Sequence, residues 1–268
     1  DPLIDKDKLN KFSNDHYNSI EKIEGGKYSK VRGFINSSFL KIIYNYFEGD
    51  ISYSLKKGSG KLLEIGCNEG KNLVSYHSNG FETYGLETNK IAAESAKKLG
   101  FKIFTDDILD LSLNHSFDVI VLPNVLEHLL DPISALNKVK KHLKENGELW
   151  ISLPNSNSIF RKMFRNNWIN WHPPFHISHF NPKNLEDAIQ KSGFSISSLK
   201  SVSPPQWISM SIISRLSSIQ GKPNKELRNP FLLTLFMIFI MTIGILPLII
   251  INRLMIGDCL KLVAKDNE

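Results

Sequence analysis

The stretch Leu62-Leu-Glu-Ile-Gly-Cys-Asn-Glu-Gly70 decides the fold of this chain, and the amphipathic segment Lys71–Ser78 follows it directly. A short apolar run that meets glycines and then turns amphipathic predicts a buried strand, a tight turn and a helix. Gly66 allows the backbone to leave the strand at a φ value that a side chain resists. Gly70 is expected to let a ligand lie against the first helical turn, where unpaired N–H groups point outward. The stretch therefore predicts a ligand-binding turn.

A second short strand follows and ends in a carboxylate. Residues 82–87 read Glu-Thr-Tyr-Gly-Leu-Glu, and Glu87 falls 21 positions after Gly66. In a Rossmann-like βαβ unit, an acidic residue about 20 positions after the turn lies at the end of the neighbouring strand and accepts hydrogen bonds from ribose hydroxyls. The ligand is therefore expected to carry a ribose.

The turn departs from a dinucleotide-binding loop in two ways. Asn68 stands where the pattern Gly-x-Gly-x-x-Gly needs its second glycine to approach a pyrophosphate. Glu64, on the strand two positions before Gly66, would also repel phosphate. Both departures disfavour a NAD-dependent oxidoreductase, which would use the same βαβ unit and the same acidic residue.

The strand and turn resemble the first motif of the class I S-adenosylmethionine-dependent methyltransferases, which reads acid-x-Gly-x-Gly-x-Gly, with Asn68 here in place of the middle glycine. The resemblance implies S-adenosylmethionine as the cofactor, which has no phosphates and carries a sulfonium that suits an acid-lined pocket. Asp106 or Asp107, after the third strand, is implied to lie beside the adenine amino group. The cofactor contacts implied in this way come from Glu64, Gly66, Asn68, Gly70, Glu87, Asp106, Asp107 and Asn124.

The most specific part of the resemblance is Pro123-Asn-Val-Leu-Glu-His-Leu-Leu-Asp-Pro132, which follows the predicted strand at 117–122. It is similar to the Val-Leu-Glu-His segment of the small-molecule and ubiquinone-type branch of this superfamily. Chemistry is expected above Asn124, His128 and Asn155, at the carboxyl edge of the sheet. His128 is the favoured general base, and the alternative is a histidine that bonds nearby backbone at a helix start.

Strand and helix patterns alternate from Lys61 to Leu153 and predict a Rossmann-like, doubly wound, mostly parallel α/β sheet. Helices are predicted near 71–78, 90–99, 132–144 and 181–193, and a fifth strand at 147–153. A sixth strand at 194–200 and a last strand at 258–264 fit the methyltransferase sheet, in which the last strand inserts antiparallel. Residues 58–200 and 257–268 are assigned to the methyltransferase domain, 1–57 to an N-terminal helical cap and 201–256 to a hydrophobic helical insertion.

The N-terminal cap has its clearest helical pattern at Ser38–Phe47, where apolar residues share one broad face. Lys27, Tyr28 and Arg32 precede this helix in a glycine-rich polar loop. By resemblance, such a segment folds over the cofactor and places a cation near the methionine carboxylate. A plain surface loop is the alternative.

Composition limits the class of protein. The 268 residues suffice for one α/β domain with an added segment. Two cysteines argue against a disulfide framework and fit a reducing cytosol, and residues 1–30 are too polar and mixed in charge for a signal peptide. The formal net charge of +6 comes from scattered lysines, so a solvated basic surface is expected and nucleic-acid binding is not.

Aromatic and imidazole side chains fill the loop-like segment 156–180, the expected substrate loop. Its succession of Trp, Pro-x-His and Phe is similar to a segment of methyltransferases of sugar and cell-surface biosynthesis. A metal site of His172, His176 and His179 is not expected, because Pro173-Pro174 breaks any helix that would align them and no cysteine or carboxylate joins them. For His176, a structural hydrogen bond and a substrate contact both remain open.

The segment Phe231–Asn252 contains 22 residues without a formal charge. At about 1.5 Å per residue it reaches roughly 33 Å, enough to span a bilayer core of about 30 Å. One crossing would separate the last strand from its sheet, and Pro247 splits the run. A helical hairpin that dips into one leaflet is therefore expected, and a single span or a hydrophobic dimer or core helix are the alternatives. The basic residues expected at the lipid headgroups are Lys222, Lys225, Arg228 and Arg253.

These patterns together predict a cytoplasmic, membrane-associated methyltransferase. The expected acceptor is a small molecule, a sugar, a glycolipid or lipid-linked sugar, or a quinone-like compound. A catalytically silent membrane-docking module with the same fold is the second alternative, beside the NAD-dependent oxidoreductase.

Overall fold

The computed structural model of the chain describes residues 40–47, 53, 56–219 and 230–266. Helix α1 (Leu40–Phe47) lies within the segment predicted to be helical at 38–47. Most of the predicted N-terminal cap is outside the described residues. Also outside them are the predicted cofactor-loop and headgroup residues Lys27, Tyr28, Arg32, Lys222, Lys225 and Arg228.

One sheet of seven strands forms the centre of the protein. The strands are β1 (Lys61–Ile65), β2 (Glu82–Leu86), β3 (Lys102–Phe104), β4 (Phe117–Pro123), β5 (Leu143–Pro154), β6 (Phe194–Val202) and β7 (Cys259–Asp266). Their order across the sheet is β3-β2-β1-β4-β5-β7-β6. The strands from β3 to β5 pair in parallel, and β7 pairs antiparallel with both β5 and β6. The predicted Rossmann-like sheet with an antiparallel last strand is confirmed.

Helices lie at or near four of the predicted places, and a further short helix, Ile159–Phe164, forms in the segment 156–180 that was expected to be a loop. They are α2 (Lys71–Ser78), α3 (Lys90–Lys98), α4 (Pro132–Lys140), α5 (Ile159–Phe164) and α6 (Pro182–Lys191). Helix α4 ends four residues before its predicted end at Lys144, and β5 begins at Leu143 instead of Gly147. The reason is pairing: the Phe117 N–H donates to the His142 carbonyl at 2.8 Å, and Phe117 is the register partner of Leu143.

Both faces of the central strands are buried, as expected where parallel strands are covered by helices on each side. Leu63, Ile120 and Leu149 point to one face and pack with apolar residues of α4 and α6. On the other face, Val121 and Trp150 pack with the apolar residues around Tyr76. The site-bearing loops thus rest on a rigid sheet.

The predicted insertion forms three helices, α7 (Pro205–Ile219), α8 (Pro230–Ile243) and α9 (Ile245–Arg253). The apolar run breaks at Gly244, where α8 and α9 meet at 76°, and not at the predicted Pro247. Pro247 is tolerated because it lies in the first turn of α9, where a missing N–H costs no helical hydrogen bond. Among the described residues, no single helix is long and apolar enough to cross a bilayer; only the bent pair reaches that length and composition.

The two ends of the insertion lie side by side in the sheet. Val202, the last residue of β6, is the register partner of Cys259, the first residue of β7, and Cys259 also pairs with Pro154. An odd number of membrane crossings between β6 and β7 would put these paired residues on opposite sides of the membrane. The pairing therefore disfavours the single-span alternative, and it places α7, α8 and α9 at the carboxyl edge of the parallel strands.

Candidate active site

The glycine turn after β1 has the predicted left-handed backbone conformation, which a residue with a side chain would resist. Gly66 adopts φ +72°, and its N–H and that of Cys67 both donate to the Leu86 carbonyl at 2.8 and 3.2 Å. A Cβ at position 66 would lie 2.9 Å from the Val125 side chain, in the loop after β4. Glycine is therefore required here both for the backbone angle and for the close approach of the next site loop.

Two further positions of the turn are left-handed. Asn68 has φ +50°, a conformation that Asn tolerates better than most residues with a side chain, which explains how it replaces the family's middle glycine. Gly70 has φ +80°, and its Cβ would lie 3.0 Å from the Ala96 Cβ of α3. Glycine at position 70 thus allows the turn to lie against α3, and its contact with a ligand stays a prediction.

Glu87 joins the turn to the end of β2. Its Oε2 accepts the Asn68 N–H at 2.9 Å and its Oε1 accepts the Asn89 N–H at 2.7 Å. Burial raises the pKa of Glu87, while these backbone hydrogen bonds act in the opposite direction. Because each carboxylate oxygen can accept more than one hydrogen bond, Glu87 remains able to receive ribose hydroxyls at this edge, as the cofactor requires.

Glu64 is buried in the floor of the turn. Its Oε1 accepts a hydrogen bond from Asn72 Nδ2 at 2.8 Å, and its buried Oε2 has no hydrogen-bond partner among the described residues. Burial raises the pKa of Glu64 to about 8; the bond from Asn72 lowers it and nearby Glu87 raises it. A buried carboxylate oxygen beside the cofactor turn fits a cationic ligand, because a positive charge stabilises the ionised form.

Asp106 and Asp107 follow β3, which ends at Phe104, and thus stand at the same sheet edge as Glu87. The Glu87 N–H donates to the Phe104 carbonyl at 2.9 Å, which fixes the two strand ends together. The Asp107 carboxylate accepts the Leu109 N–H at 3.0 Å and so shapes its own turn, whereas Asp106 is exposed. Asp106 is therefore the better placed of the two for an adenine contact.

A cavity of about 250 Å³ lies beyond the end of β4. Asn124, the predicted site residue at this end, has φ +52° and a buried Oδ1 without a hydrogen-bond partner among the described residues. The walls come from the ends of β4 and β5, from the predicted substrate loop and from α7: Asn124, Glu127, Pro154, Ile169, Asn170, His172, His176, Gln206, Trp207 and Met210. The contribution of α7 was not predicted, because no motif separates Gln206, Trp207 and Met210 from the rest of the apolar insertion.

The two predicted catalytic histidines are neighbours. The rings of His128 and His176 lie 4.7 Å apart between centroids; His176 lines the cavity and His128 packs against it. Burial lowers the pKa of His128, and burial together with the nearby His128 lowers the pKa of His176 to about 3. Both imidazoles are therefore neutral at physiological pH, and each keeps a nitrogen lone pair that can face a ligand.

Two other predicted features have structural roles. Asn155, above which chemistry was expected, is fully buried, and its Nδ2 donates to the Met255 and Gly257 carbonyls at 3.1 and 2.8 Å. It therefore ties the end of β5 to the start of β7. The ring of His179 packs on Trp171 at 5.0 Å, away from the cavity that His172 and His176 line.

The family model for a methyltransferase domain matches residues 43–199, more than half of the chain. The chain therefore belongs to the methyltransferase domain family and is an S-adenosylmethionine-dependent enzyme. This identification favours the methyltransferase over the NAD-dependent oxidoreductase, the alternative that uses the same βαβ unit.

Individual relatives are distant. An uncharacterised protein of Methanocaldococcus jannaschii is 28% identical over 203 residues, which cover 72% of this chain and 87% of that protein. The ubiquinone biosynthesis O-methyltransferase of Vibrio cholerae is 28% identical over 119 residues, 40% of this chain and 49% of its own length. This chain thus matches about half of that enzyme. An S-adenosylmethionine-dependent methyltransferase from Mesorhizobium loti, 16% identical, has a TM-score of 0.52 over 80% of this chain and 95% of that one, which shows the shared fold.

The environment of Glu64 predicts pH-dependent cofactor binding. As the pH falls below about 8, Glu64 takes up a proton and can no longer stabilise a cationic ligand. Affinity for S-adenosylhomocysteine, which carries an ammonium group, should therefore fall by up to about tenfold per pH unit below this pKa. Calorimetry on both sides of pH 8 measures the change.

The matched variants are Glu64→Gln and Glu69→Gln. Glu69 lies in the same turn and pairs with Lys71 near solvent, so its variant should keep the pH dependence. Glu64→Gln should bind more weakly and lose the dependence. Equal affinity of the wild type at all pH values, or an unchanged profile in Glu64→Gln, would contradict the assigned role.

Proposed function

We propose that this enzyme methylates an oxygen of a lipid-linked small-molecule acceptor, such as a lipid-linked sugar, a glycolipid or a quinone-like ring, while docked on the cytoplasmic surface of a membrane. The observation that carries the proposal is the position of α7. This helix lines the cavity with Gln206, Trp207 and Met210, and it packs against the apolar helix α8 on its other side. The acceptor cavity and the apolar helices therefore share one wall.

When bound, S-adenosylmethionine supplies an electrophilic methyl group on sulfur, which an acceptor atom attacks directly. The chain's own residues hold the reactants and exclude water. Glu87 and the left-handed turn at Gly66 and Asn68 are the residues that fit the ribose side, and Glu64 fits the cationic side. Asn124, at the end of β4, lies between this turn and the cavity, because its neighbour Val125 contacts Gly66.

The cavity suits one polar ring. Its volume of about 250 Å³ is slightly below the roughly 300–1,000 Å³ of pockets for drug-sized ligands, so a single sugar or aromatic ring fits better than an entire lipid. Asn124 Oδ1 and Asn170 Nδ2 are buried polar atoms without hydrogen-bond partners among the described residues, and both residues line the cavity. A hydroxyl-bearing acceptor can satisfy both atoms. Likeness to ubiquinone biosynthesis O-methyltransferases supports oxygen as the acceptor atom.

The bent helix pair supports membrane docking. One side of α8 is buried against α7 and α1 through Leu233, Met237 and Met241. On the other side of α8, large apolar residues recur every four positions and are each more than half exposed: Phe231, Leu235, Phe239 and Ile243. Leu246 and Ile250 of α9 and Leu254 directly after it are also more than half exposed. Soluble proteins rarely leave apolar surface of this extent uncovered. A lipid leaflet is the partner whose chemistry matches it.

The charges around these helices favour the same partner. Arg215 of α7 and Arg253 at the end of α9 are exposed, and Lys222, Lys225 and Arg228 lie in the sequence that connects α7 to α8. Glu226 is the only acidic residue in the sequence from 203 to 257. An excess of basic residues in an apolar segment complements the anionic cytoplasmic leaflet, and Cys67 and Cys259, which form no disulfide, fit the reducing side of the membrane.

The activity is tested with tritiated methyl-labelled S-adenosylmethionine and extracts of the host. Label should enter the organic, lipid-containing phase. His176→Ala should lower kcat by about 100-fold or more, whether the residue acts as a base or holds the acceptor. His179→Ala, three positions away but outside the cavity wall, should stay close to the wild type. Label only in water-soluble products would contradict the lipid-linked acceptor, and transfer to no extract by cofactor-bound protein would support the silent module.

Docking is tested by vesicle flotation. Wild-type protein should float with anionic phosphatidylglycerol vesicles. Leu235→Glu with Phe239→Glu should lower the partition coefficient on the order of 100-fold, because each side chain contributes about 1.5 kcal/mol or more when buried in lipid. The matched control is Ile91→Glu with Leu99→Glu, at α3, where the two side chains are similarly exposed. Equal flotation of both double variants would contradict docking through α8.

A further inference from the structure

Glu127, His128 and His176 come together at the cavity wall, and we propose that they bind a divalent transition-metal ion such as Zn²⁺. Each residue offers one ligand atom, and the three atoms lie within 4.8 Å of one another. Two imidazoles and one carboxylate form the ligand set of open zinc and iron sites, in which further positions remain for other ligands. The inference deepens the proposed function and rests on it only for the role of the ion, not for its binding.

Both imidazoles are oriented for coordination. His128 Nδ1 lies 3.0 Å from the Phe175 carbonyl oxygen, and His176 Nδ1 lies 2.7 Å from the Asn170 carbonyl oxygen. Because a carbonyl only accepts hydrogen bonds, Nδ1 carries the proton in each ring and Nε2 carries the lone pair. A histidine held in this way by a backbone carbonyl is the usual arrangement of a metal ligand.

Backbone hydrogen bonds hold the two contributing segments together. The Glu127 carbonyl accepts the N–H groups of Ile177 and Ser178 at 2.8 and 3.0 Å. The short helical turn 126–128 and the loop after His176 are thus fixed to each other before any ligand arrives. The Glu127 side chain is only 1% exposed, and in such a low-dielectric setting the attraction between a carboxylate and a cation is strong.

The three histidines of the substrate loop do not by themselves predict a metal site. His172, His176 and His179 lack a carboxylate in their own segment, and His179 turns instead to Trp171. The fold supplies the missing ligands from the Val-Leu-Glu-His segment, 49 residues before His176 in the case of Glu127. Only the packing of this segment against the substrate loop brings the set together.

The ion would act on the acceptor. Glu127 and His176 line the same cavity as the unpartnered Asn124 Oδ1 and Asn170 Nδ2, so the open coordination positions adjoin the place proposed for the acceptor. An ion in this position would bind an acceptor oxygen, fix its direction and make its hydroxyl more acidic. The acceptor class is thereby narrowed to molecules that present a hydroxyl to the cavity.

The test measures metal binding on the full chain without cofactor or acceptor. Protein stripped with a chelator is titrated with Zn²⁺ and with Co²⁺, and bound metal, the visible Co²⁺ spectrum and Tm are recorded. Wild type should bind one ion per chain, with a Co²⁺ spectrum of mixed nitrogen and oxygen ligands and a Zn²⁺-induced rise in Tm. Glu127→Gln and His176→Ala should each weaken binding by at least about tenfold, and His179→Ala should match the wild type.

Absence of stoichiometric binding to the wild type, or unchanged binding in folded Glu127→Gln and His176→Ala, would overturn the site. If a variant fails to fold, the wild-type spectrum and the Zn²⁺ effect on Tm decide. The two proposals fail in distinguishable ways. Methyl transfer that persists in a chain that binds no metal overturns the ion alone, whereas a bound ion without methyl transfer to any extract overturns the proposed function alone.

Discussion

The double pairing of strand β7 is the constraint on which the rest of the structure depends. Cys259 is hydrogen-bonded into the sheet between Pro154 and Val202, so the chain between β6 and β7 must leave and return at one edge. That edge carries the cofactor turn, and α7 consequently becomes a wall of the cavity. Asp258, just before β7, accepts hydrogen bonds from Trp168 Nε1 and Ser158 Oγ, both at 2.7 Å, and thereby fixes the substrate loop to the same strand.

Local sequence rules predict those parts of the fold in which the type of a single residue determines the backbone conformation around it. The glycine at position 66 and the asparagine at position 68 are both left-handed, as a strand leaving into a tight turn requires, and the Glu87 carboxylate after β2 accepts the Asn68 N–H of that turn and the Asn89 N–H of its own segment. Helix starts follow their caps, as at Asn89 and Asp131. These features form within one βαβ unit or at one helix end, which is why the succession of strands and helices and the cofactor turn can be predicted from the sequence.

The acceptor side is not readable in this way, because its contacts join distant segments. Gly70 has a packing contact that the sequence pattern does not show, since only the folded chain brings Ala96 against it. Trp207 reads as part of an apolar insertion until the sheet edge places it at the cavity. Glu127 gains His176 as a neighbour from a loop that follows β5. In each case the sequence pattern indicates the local structure around the residue, but tertiary packing decides which residues of other segments it contacts.

Calorimetry of S-adenosylhomocysteine with wild type and Glu87→Ala tests the central claim most directly, because it requires no acceptor. We expect the wild type to bind one ligand per chain with micromolar affinity. Glu87→Ala should lose this binding, because it removes both the acceptor for the ribose hydroxyls and the hydrogen bond that anchors the turn at Asn68, whereas the surface variant Glu69→Ala should retain it. No binding by well-folded wild type, or equal binding by Glu87→Ala, would contradict the assignment of this edge as the cofactor site.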